Sequence, residues 1–430
     1  MIMTMCYGNW FCVIVSFALF CISSISSKGG SSRCGKVHLT VSSYAETFLE
    51  LNWITDCQRD ATVPEYIILS TKNIQDRDED HGVLKMVKFK DYPDGFFRTK
   101  VKFGHPWLPG GWEVGENVKP DPGPHCFPYW ISSVSRNGTI DSTCLAIQPT
   151  WMSDNSVSLG NLRLGSILIP GTHNSGSYSG IVSFLENYIL NQDRSIWTQL
   201  VSGIRYLDFR IGYYEKEGFY LNHDLVRVTK ILPLLQDIKK FLQQAPKEIV
   251  VLDFHRFPFP TNFSLSLHRK FVDLIYSELG AFAVPSVDME IGKGPTLNDI
   301  WKKNKNLIIC YADKTTVREN YFLWHPLSQY WGNTKSESVL KSFLEKSISE
   351  QDNAKSVNPF WALMAELTPQ PIDLVFRTNN LRKLAAEINP RVTKWFRDEW
   401  GAKSNIVATD YFLGNDMINV AIDINTHRNV

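Results

Sequence analysis

The feature that most constrains the fold is a regular alternation of short apolar runs and helical stretches that begins near residue 158. The apolar runs have the length of strands, and the stretches between them repeat apolar residues at helical spacing. This pattern is typical of a parallel α/β barrel or a doubly wound sheet, and the length and strand number favour the barrel. The predicted strands are 166–170, 204–211, 219–223, 248–254, 306–312, 360–367 and 405–411. The predicted helices are 233–243, 264–279, 336–348 and 377–388.

Residues 30–150 follow a different pattern. Period-two stretches at Val37–Ser42, Phe48–Trp53 and Glu65–Ser70 are separated by turn-rich, charged segments. We therefore predict an α/β fold in which a small all-β, sandwich-like domain precedes a barrel at 158–430. The loop Gly104–Glu113 carries two tryptophans, which either contact lipid or form a hydrophobic plug within the module; the plug is favoured.

Residues 1–27 are predicted to be a secretory signal peptide. Their apolar stretch, Trp10–Ile22, has the length of a signal-peptide core and is followed by small residues, although the usual positive charge before it is missing. An uncleaved signal anchor is the alternative, and both interpretations place the remaining chain in the secretory lumen or outside the cell. The acceptor sequons at Asn137 and Asn262 agree with that location.

Cysteine positions fit the same compartment. Cys34, Cys57, Cys126 and Cys144 all precede residue 150 and, in an oxidising environment, can form two disulfides in any of three pairings. Cys310 lies in an apolar run, so we expect a small buried core residue there.

The charge of the chain is nearly balanced, with 45 Lys and Arg against 44 Asp and Glu. No overall field attracts nucleic acid, which we exclude as a partner, and any charged ligand must be bound by local groups. The sequence indicates no protein partner.

Ionisable side chains stand at the ends of nearly all the predicted strands. In a parallel barrel these ends meet at one mouth, where catalytic groups collect. Each residue alone has a structural explanation, such as an ion pair or a loop cap, but their convergence favours a functional site. The residues are His173, Asn174, Asp208, Arg210, His223, Asp224, Asp253, His255, Asp313, Glu366, Asp410 and Tyr411.

Five ordered stretches resemble the X-domain motifs of phosphatidylinositol-specific phospholipase C. They are GSILIPGTHNSG at 165–176, GIRYLDFRIG at 203–212, YLNHDL at 220–225, EIVVLDFHRF at 248–257 and TDY at 409–411. The resemblance implies a distorted TIM barrel that cleaves the phosphodiester between inositol and diacylglycerol. Its lipid would be a phosphoinositide or a glycosyl-phosphatidylinositol anchor at a membrane surface.

By motif position, the resemblance implies that His173 is the general base, His223 the general acid and Asp410 the carboxylate that orients the base. The chemistry calls for such groups independently, because a neighbouring hydroxyl must lose a proton to attack phosphorus while the leaving alkoxide gains one. Imidazoles titrate near neutral pH and suit both tasks. A carboxylate on the far nitrogen of the base fixes its tautomer.

The charge of the phosphate is met in this family by calcium or by an arginine that replaces it. Arg210 stands at that position, and a guanidinium can bind two phosphate oxygens at once. We therefore predict that no cofactor is needed, with Ca²⁺ as the disfavoured alternative. Asn174 favours calcium, Asp208 fits both schemes, and His255 stands where the calcium enzymes have an acidic ligand.

Further contacts to the lipid head group are predicted from later strands. The candidates are Asp313, Glu366 and Lys314, together with the stacking surfaces Trp331 and Tyr411, in addition to Asn174, Asp208 and His255. Arg205 should face away from Asp208 and Arg210, because strand side chains alternate, and is interpreted as structural.

Two alternatives stay open. One is a metal-dependent barrel phosphodiesterase of the glycerophosphodiesterase or sphingomyelinase D type. It requires a Glu-x-Asp pair after the second strand, where this chain has Tyr-Leu-Asp-Phe-Arg at 206–210. The other is a catalytically inactive lipid-binding protein that keeps the barrel.

Overall fold

A computed structural model describes residues 33–58, 61–76, 80–113, 119–180, 185–286, 294–351 and 359–428. The predicted signal peptide lies outside the described residues. Within them, two antiparallel sheets precede a curled parallel sheet with helices around it. The predicted fold class, an α/β barrel behind a small all-β domain, is confirmed.

The N-terminal module, as we call the antiparallel part, contains strands β1 to β7. They are β1 (Val37–Val41), β2 (Phe48–Trp53), β3 (Tyr66–Ser70), β4 (Val83–Lys88), β5 (Phe96–Lys102), β6 (His125–Ser135) and β7 (Gly138–Ile147). One sheet has the order β1-β2-β5 and the other β4-β3-β6-β7. Leu51 from the first sheet and Ile67 and Ile131 from the second are fully buried in one apolar cluster, so the two sheets share a core as in a sandwich.

The barrel is a ring of parallel strands. They are β8 (Ile169–Thr172), β9 (Tyr206–Tyr214), β12 (Val250–Phe259), β13 (Leu307–Tyr311), β14 (Leu323–Trp324), β15 (Ser328–Trp331), β16 (Trp361–Met364) and β17 (Ile406–Thr409). Their hydrogen-bonded order is β14-β13-β12-β9-β8-β17-β16-β15. Two further strands, β10 (Gly218–His223) and β11 (Val226–Lys230), form an antiparallel hairpin attached to β9.

The ring has one seam. Strand β14 pairs with β13 and β15 pairs with β16, but no ladder joins β14 to β15 in the part of the chain that the structure describes. Only residues 325–327 separate these two strands in sequence. The hydrogen-bonded ring is therefore interrupted between β14 and β15.

Helices cover the outside of the ring. They are α1 (Trp151–Asp154), α2 (Ser156–Leu159), α3 (Glu186–Ile189), α4 (Ile196–Ser202), α5 (Ile231–Gln244), α6 (Leu265–Leu279), α7 (Leu297–Trp301), α8 (Lys314–Glu319), α9 (Glu337–Gln351), α10 (Pro371–Phe376), α11 (Leu381–Trp395) and α12 (Met417–Thr426). In α5, Leu234, Ile238 and Leu242 are buried at helical spacing, so one apolar stripe packs on the barrel.

Every predicted strand and helix overlaps one in the structure. The segment 219–223 was expected to be a barrel strand, and this was wrong: as β10 it belongs to the hairpin outside the ring. Strands β14 and β15 were not predicted.

Arg205 is a structural residue, as expected. It is fully buried, and its Nη2 donates to Glu248 Oε2 at 2.6 Å and to the Pro149 carbonyl at 2.8 Å. Its Nη1 donates to the Leu200 carbonyl at 2.7 Å. The guanidinium thus ties the end of the module to the base of the barrel.

The disulfides are Cys34–Cys57 and Cys126–Cys144, which resolves the pairing that the sequence left open. Both fit an extracellular or secretory-lumen location. Cys310 is fully buried in β13, as predicted. Among the described residues, no helix has the length and apolarity to cross a membrane.

The two loop tryptophans have different environments. Trp112 is buried, but it packs against Trp197 and Phe241 of the barrel, with ring centroids 6.2 and 6.3 Å away. The predicted plug therefore lies between the two domains, and placing it within the module was wrong. Trp107 is 75% exposed.

Candidate active site

His173 follows β8 directly and is buried at the barrel mouth. Its Nδ1 lies 2.9 Å from Asp410 Oδ1, which follows β17, the neighbouring strand. Asn191 Nδ2 donates to the same carboxylate oxygen at 3.1 Å. Burial alone would lower the pKa of His173, but the carboxylates of Asp410 and Glu366 outweigh it, so the pKa is raised above its ordinary value. Asp410 therefore favours a basic imidazole.

The other nitrogen of His173 defines its tautomer. Arg210 Nη2 lies 2.7 Å from His173 Nε2. A guanidinium only donates hydrogen bonds, so Nε2 accepts and the ring proton is on Nδ1, where it is donated to Asp410. A protonated Nε2 is incompatible with this contact, so Arg210 must withdraw before His173 can take a proton.

Asp208 and Asn174 lie next to His173. Asp208 Oδ2 accepts from the Asn174 backbone N–H at 2.9 Å and lies 3.5 Å from Arg210 Nη2. Burial acts to raise the pKa of Asp208, but the charges of Arg210, His173 and His255 hold it below its usual value. Asn174 has φ of 43°, and its Oδ1 is buried with no hydrogen-bond partner within the described part of the chain.

A second carboxyl, Asp253 on β12, lies beside Asp208. The amide of Gln329 bridges them, with Nε2 at 3.2 Å from Asp208 Oδ1 and 3.0 Å from Asp253 Oδ2, and Tyr206 OH donates to Asp253 Oδ2 at 2.9 Å. Burial, followed by the negative charge of Asp208, raises the pKa of Asp253 to about 8. The pair therefore carries close to one negative charge at neutral pH.

A small cavity of about 80 Å³ opens at this mouth. It is lined by His173, Arg210, His255, Arg256, Gln329, Trp331 and Met364. Burial, with the charges of Arg210 and Arg256, lowers the pKa of His255 to about 4, so this histidine is neutral. A typical small-molecule site measures roughly 300 to 1,000 Å³. The enclosed space is therefore smaller than a typical small-molecule site.

His223 lies at the end of β10 and is partly buried. Its Nδ1 donates to the carbonyl oxygen of Ile189, which leaves Nε2 for proton transfer. Burial lowers the pKa of His223, and the charges of Arg210 and His173 act in the same direction, so the three groups lie within electrostatic range of one another. His223 does not line the enclosed cavity. Asp224 is exposed, and the Ile189 carbonyl orients the ring of His223.

Glu366 follows β16 and is buried near His173. Its Oε2 accepts from Thr368 Oγ1 at 3.2 Å, while Oε1 is buried without a hydrogen-bond partner among the described residues. Burial raises its pKa to about 7, and the charge of Asp410 adds to this effect against that of His173. Thr368 Oγ1 also accepts from Trp331 Nε1 at 2.9 Å, which holds the half-exposed indole at the cavity.

Several predicted contact residues do not line the cavity, and three of them lie elsewhere. Asp313 caps helix α8, with Oδ1 accepting from the Thr316 N–H at 2.7 Å. Lys314 is exposed at the start of the same helix. Tyr411 is buried, and its hydroxyl donates to the Leu190 carbonyl at 2.6 Å.

The group beside His173 that carries a fixed positive charge is a guanidinium. The guanidinium of Arg210 lies between Asp208 and His173, where an added cation would face a fixed positive charge. No cluster of three or more His, Cys, Asp or Glu suited to a metal occurs in the described ranges.

Sequence reasoning missed Asn191, Gln329 and Tyr206. Asn191 lies in a loop with no motif, and Gln329 lies on the unpredicted strand β15. For Tyr206 a signal was available, because it has the same strand parity as Asp208 and Arg210.

The site thus belongs to a barrel with two histidines, an arginine and a carboxylate at one mouth. The model of the PI-PLC X family matches residues 161–425. The chain is 25% identical to mouse PI-PLC X domain-containing protein 1 over 320 residues, covering 67% of this chain and 89% of the relative. It is 29% identical to human PI-PLC X domain-containing protein 2 over 268 residues, covering 56% and 84%. The phosphatidylinositol-specific phospholipase C of Listeria monocytogenes is similar in structure, with a TM-score of 0.48, 18% identity, and coverage of 62% of this chain and 97% of that one.

This chain belongs to the PI-PLC X family, as its five motifs predicted.

Proposed function

We propose that this protein is a phosphodiesterase of the phosphatidylinositol phospholipase C type. It cleaves phosphatidylinositol, or a glycosyl-phosphatidylinositol lipid, into diacylglycerol and an inositol cyclic phosphate. The observation that carries the proposal is the contact chain Asp410–His173–Arg210, with distances of 2.9 and 2.7 Å, at a mouth that also holds His223. Family membership supports the reaction class.

In the proposed reaction, the guanidinium of Arg210 moves from His173 to the phosphate oxygens of the lipid. This transfer frees Nε2 at the moment when the substrate is in place. His173 Nε2 then takes the proton of the inositol hydroxyl next to the phosphate, and that oxygen forms a bond to phosphorus. Asp410 stabilises the resulting imidazolium through Nδ1–H.

The bond between phosphorus and the diacylglycerol oxygen breaks on the opposite side. His223 donates its Nε2 proton to this oxygen, so the alcohol leaves neutral. Its Nδ1–H stays on the Ile189 carbonyl throughout. A lowered pKa makes His223 a stronger acid, although less of it is protonated at neutral pH.

Helix α10 supports action at a membrane surface. It follows β16 at the mouth side of the ring, and Ile372, Val375 and Phe376 are 53%, 72% and 69% exposed. Helix α10 is held in place by its buried Asp373, which accepts hydrogen bonds from Lys335 Nζ at 3.1 Å and from Asn379 Nδ2 at 2.7 Å. A fixed apolar edge of this kind can enter the lipid interface while the head group reaches Arg210.

We place the protein in the secretory lumen or outside the cell. Two disulfides support this location. Asn137, at the turn between β6 and β7, and Asn262, before α6, are exposed, so both sequons are accessible to glycosylation.

The test is release of water-soluble inositol phosphate from phosphatidylinositol vesicles, with and without a chelator. We expect chelator-resistant release that is lost in His173→Ala and His223→Ala. The matched control is His427→Ala, since this histidine is exposed near the C-terminus. With sphingomyelin or a glycerophosphodiester as substrate, chelator-sensitive release of choline or glycerol would instead favour the metal-dependent alternative. No turnover by the wild type would overturn the proposal and favour a lipid-binding protein.

A further inference from the structure

One short segment, Ile189–Gln192, contacts the orienting groups of both histidines. The carbonyl of Ile189 accepts from His223 Nδ1. Two residues later, Asn191 Nδ2 donates to Asp410 Oδ1 at 3.1 Å and lies 3.3 Å from His173 Nδ1. A displacement of this segment would therefore misalign both imidazoles together.

Tyr411 fastens this segment to the end of β17. Its hydroxyl donates to the Leu190 carbonyl at 2.6 Å, and its backbone N–H donates to the Asn191 carbonyl at 2.8 Å. Tyr411 has φ of 47°, in the left-handed region that a bulky residue rarely adopts, so surrounding contacts must hold it there. It follows Asp410 directly, and the same residue thus fixes both sides of the Asn191–Asp410 contact.

Arg382 links Tyr411 to the N-terminal module. Its guanidinium lies over the Tyr411 ring, 4.6 Å from the centroid. Its Nη1 donates to the Ser43 carbonyl at 2.8 Å, and Ser43 Oγ donates back to the Arg382 carbonyl at 2.7 Å. Ser43 is buried in the connection between β1 and β2. The module therefore reaches His173 through Arg382, then Tyr411, and then Asp410 or Asn191.

The module also holds the chain that continues from the segment. Arg194 Nη2 donates to the Gly104 carbonyl at 2.6 Å, and Trp197 Nε1 donates to the Trp112 carbonyl at 2.7 Å. Both acceptors belong to the module loop that contains the buried plug. Segment Ile189–Gln192 is thus followed at once by two bonds to the module.

We propose that the N-terminal module is a positioning element for catalysis: it clamps segment Ile189–Gln192 and so aligns both histidines, with Arg382 as the positioning residue. The catalytic meaning of this inference rests on the proposed function. The alignment itself is a property of the free protein and is measurable without substrate.

The experiment uses the full chain with Arg382→Ala, Arg382→Lys and the control Arg33→Ala. Arg33 donates to Asp398 at 2.8 Å, so the control breaks a module–barrel contact that lies outside the clamp. We expect Arg382→Ala to lower kcat on the order of 10-fold with little change in KM, because small misplacement of catalytic groups lowers the rate steeply. Arg382→Lys should recover part of the loss, since lysine keeps the bond to Ser43 but not the planar stacking.

The substrate-free readout is NMR of histidines labelled with ¹⁵N, which reports tautomer and pKa. We expect the signals of His173 and His223 to change together in Arg382→Ala and to stay unchanged in Arg33→Ala. Unchanged signals in Arg382→Ala, or equal changes in Arg33→Ala, would overturn the inference. If Arg382→Ala does not fold, Ser43→Ala, which removes only one hydroxyl bond, takes its place. The wild type could fail to cleave phosphatidylinositol while both histidine signals still change in Arg382→Ala. That result would support the alignment by the module and contradict only the proposed substrate.

Discussion

The two histidine regions of the barrel mouth are built differently. His173 stands on a parallel strand of the ring, is buried, and contacts a carboxylate on one side and a guanidinium on the other. His223 stands on a hairpin outside the ring, is only partly buried, and is oriented by a backbone carbonyl. Ion pairing raises the pKa of the first, while burial lowers that of the second.

Under the proposed function, this difference corresponds to a division of labour between base and acid. A carboxylate partner suits a group that must accept a proton, since it stabilises the cation that forms. A carbonyl partner fixes the ring of His223 without adding a full negative charge, which suits a group that must give its proton away. Three measurements test whether the two regions differ in this way, and a fourth tests the apolar surface next to them.

The largest expected effect separates the two histidines by leaving group. His173→Ala and His223→Ala should each lower the rate on phosphatidylinositol by about 10² to 10⁴. With an inositol phosphate ester of a nitrophenol, whose anion leaves without a proton, His223→Ala should regain most of its activity. His173→Ala should not. Equal rescue of both variants would contradict the assignment of base and acid.

The next largest effect concerns Asp410 alone. Asp410→Asn keeps the shape but removes the charge that stabilises the imidazolium, so kcat should fall by up to about 10⁴-fold. His223 does not contact Asp410, so its signal in ¹⁵N NMR should not move. A change in the NMR signal of His223 without one in the signal of His173 would contradict the pairing of Asp410 with His173.

The dependence of the rate on pH should show the titration of both histidines. Activity requires neutral His173 and protonated His223, and their pKa values are raised and lowered respectively. Below the pKa of His223 the rate rises with pH, because only His173 gains its active form. Above the pKa of His173 the rate falls, because only His223 continues to lose its active form. Asp410→Asn should move the alkaline limb to lower pH, and an unmoved limb would show that it belongs to another group.

The smallest effect concerns the apolar edge next to the mouth. Val375→Ser with Phe376→Ser should lower activity on vesicles by about two- to tenfold through weaker interfacial binding. Activity on a soluble short-chain lipid should not change, because neither histidine region is touched. The control is Val157→Ser, a residue that is 96% exposed elsewhere. Equal loss on both substrates would place α10 in the active site rather than at the interface.

Much of the barrel could be predicted, because apolar runs and helical spacing record which faces are buried. Strand parity correctly separated Arg205 from Asp208 and Arg210. Strand β14 was not predicted because two residues are too few to show a periodic pattern. Strand β15 was not predicted because Ser328–Trp331 begins with polar residues and is only partly buried. Gln329, which lies on that strand, was missed with it.

The site was predictable where a motif fixes a residue to a strand end. It was not predictable where a role depends on folding of a loop, as for Asn191 and the Ile189 carbonyl. The rule that strand ends carry site residues also failed once, since Asp313 follows β13 but caps the next helix. Sequence does not distinguish a carboxylate that caps a helix from one that faces a cavity.

The seam between β14 and β15 leaves one wall of the mouth with a ladder on a single side. Amides of β15 should therefore exchange with deuterium sooner than those of β8, which is paired on both sides. The wall that bears Trp331 should therefore open more readily than the wall that bears His173, because the latter is held by ladders on both sides.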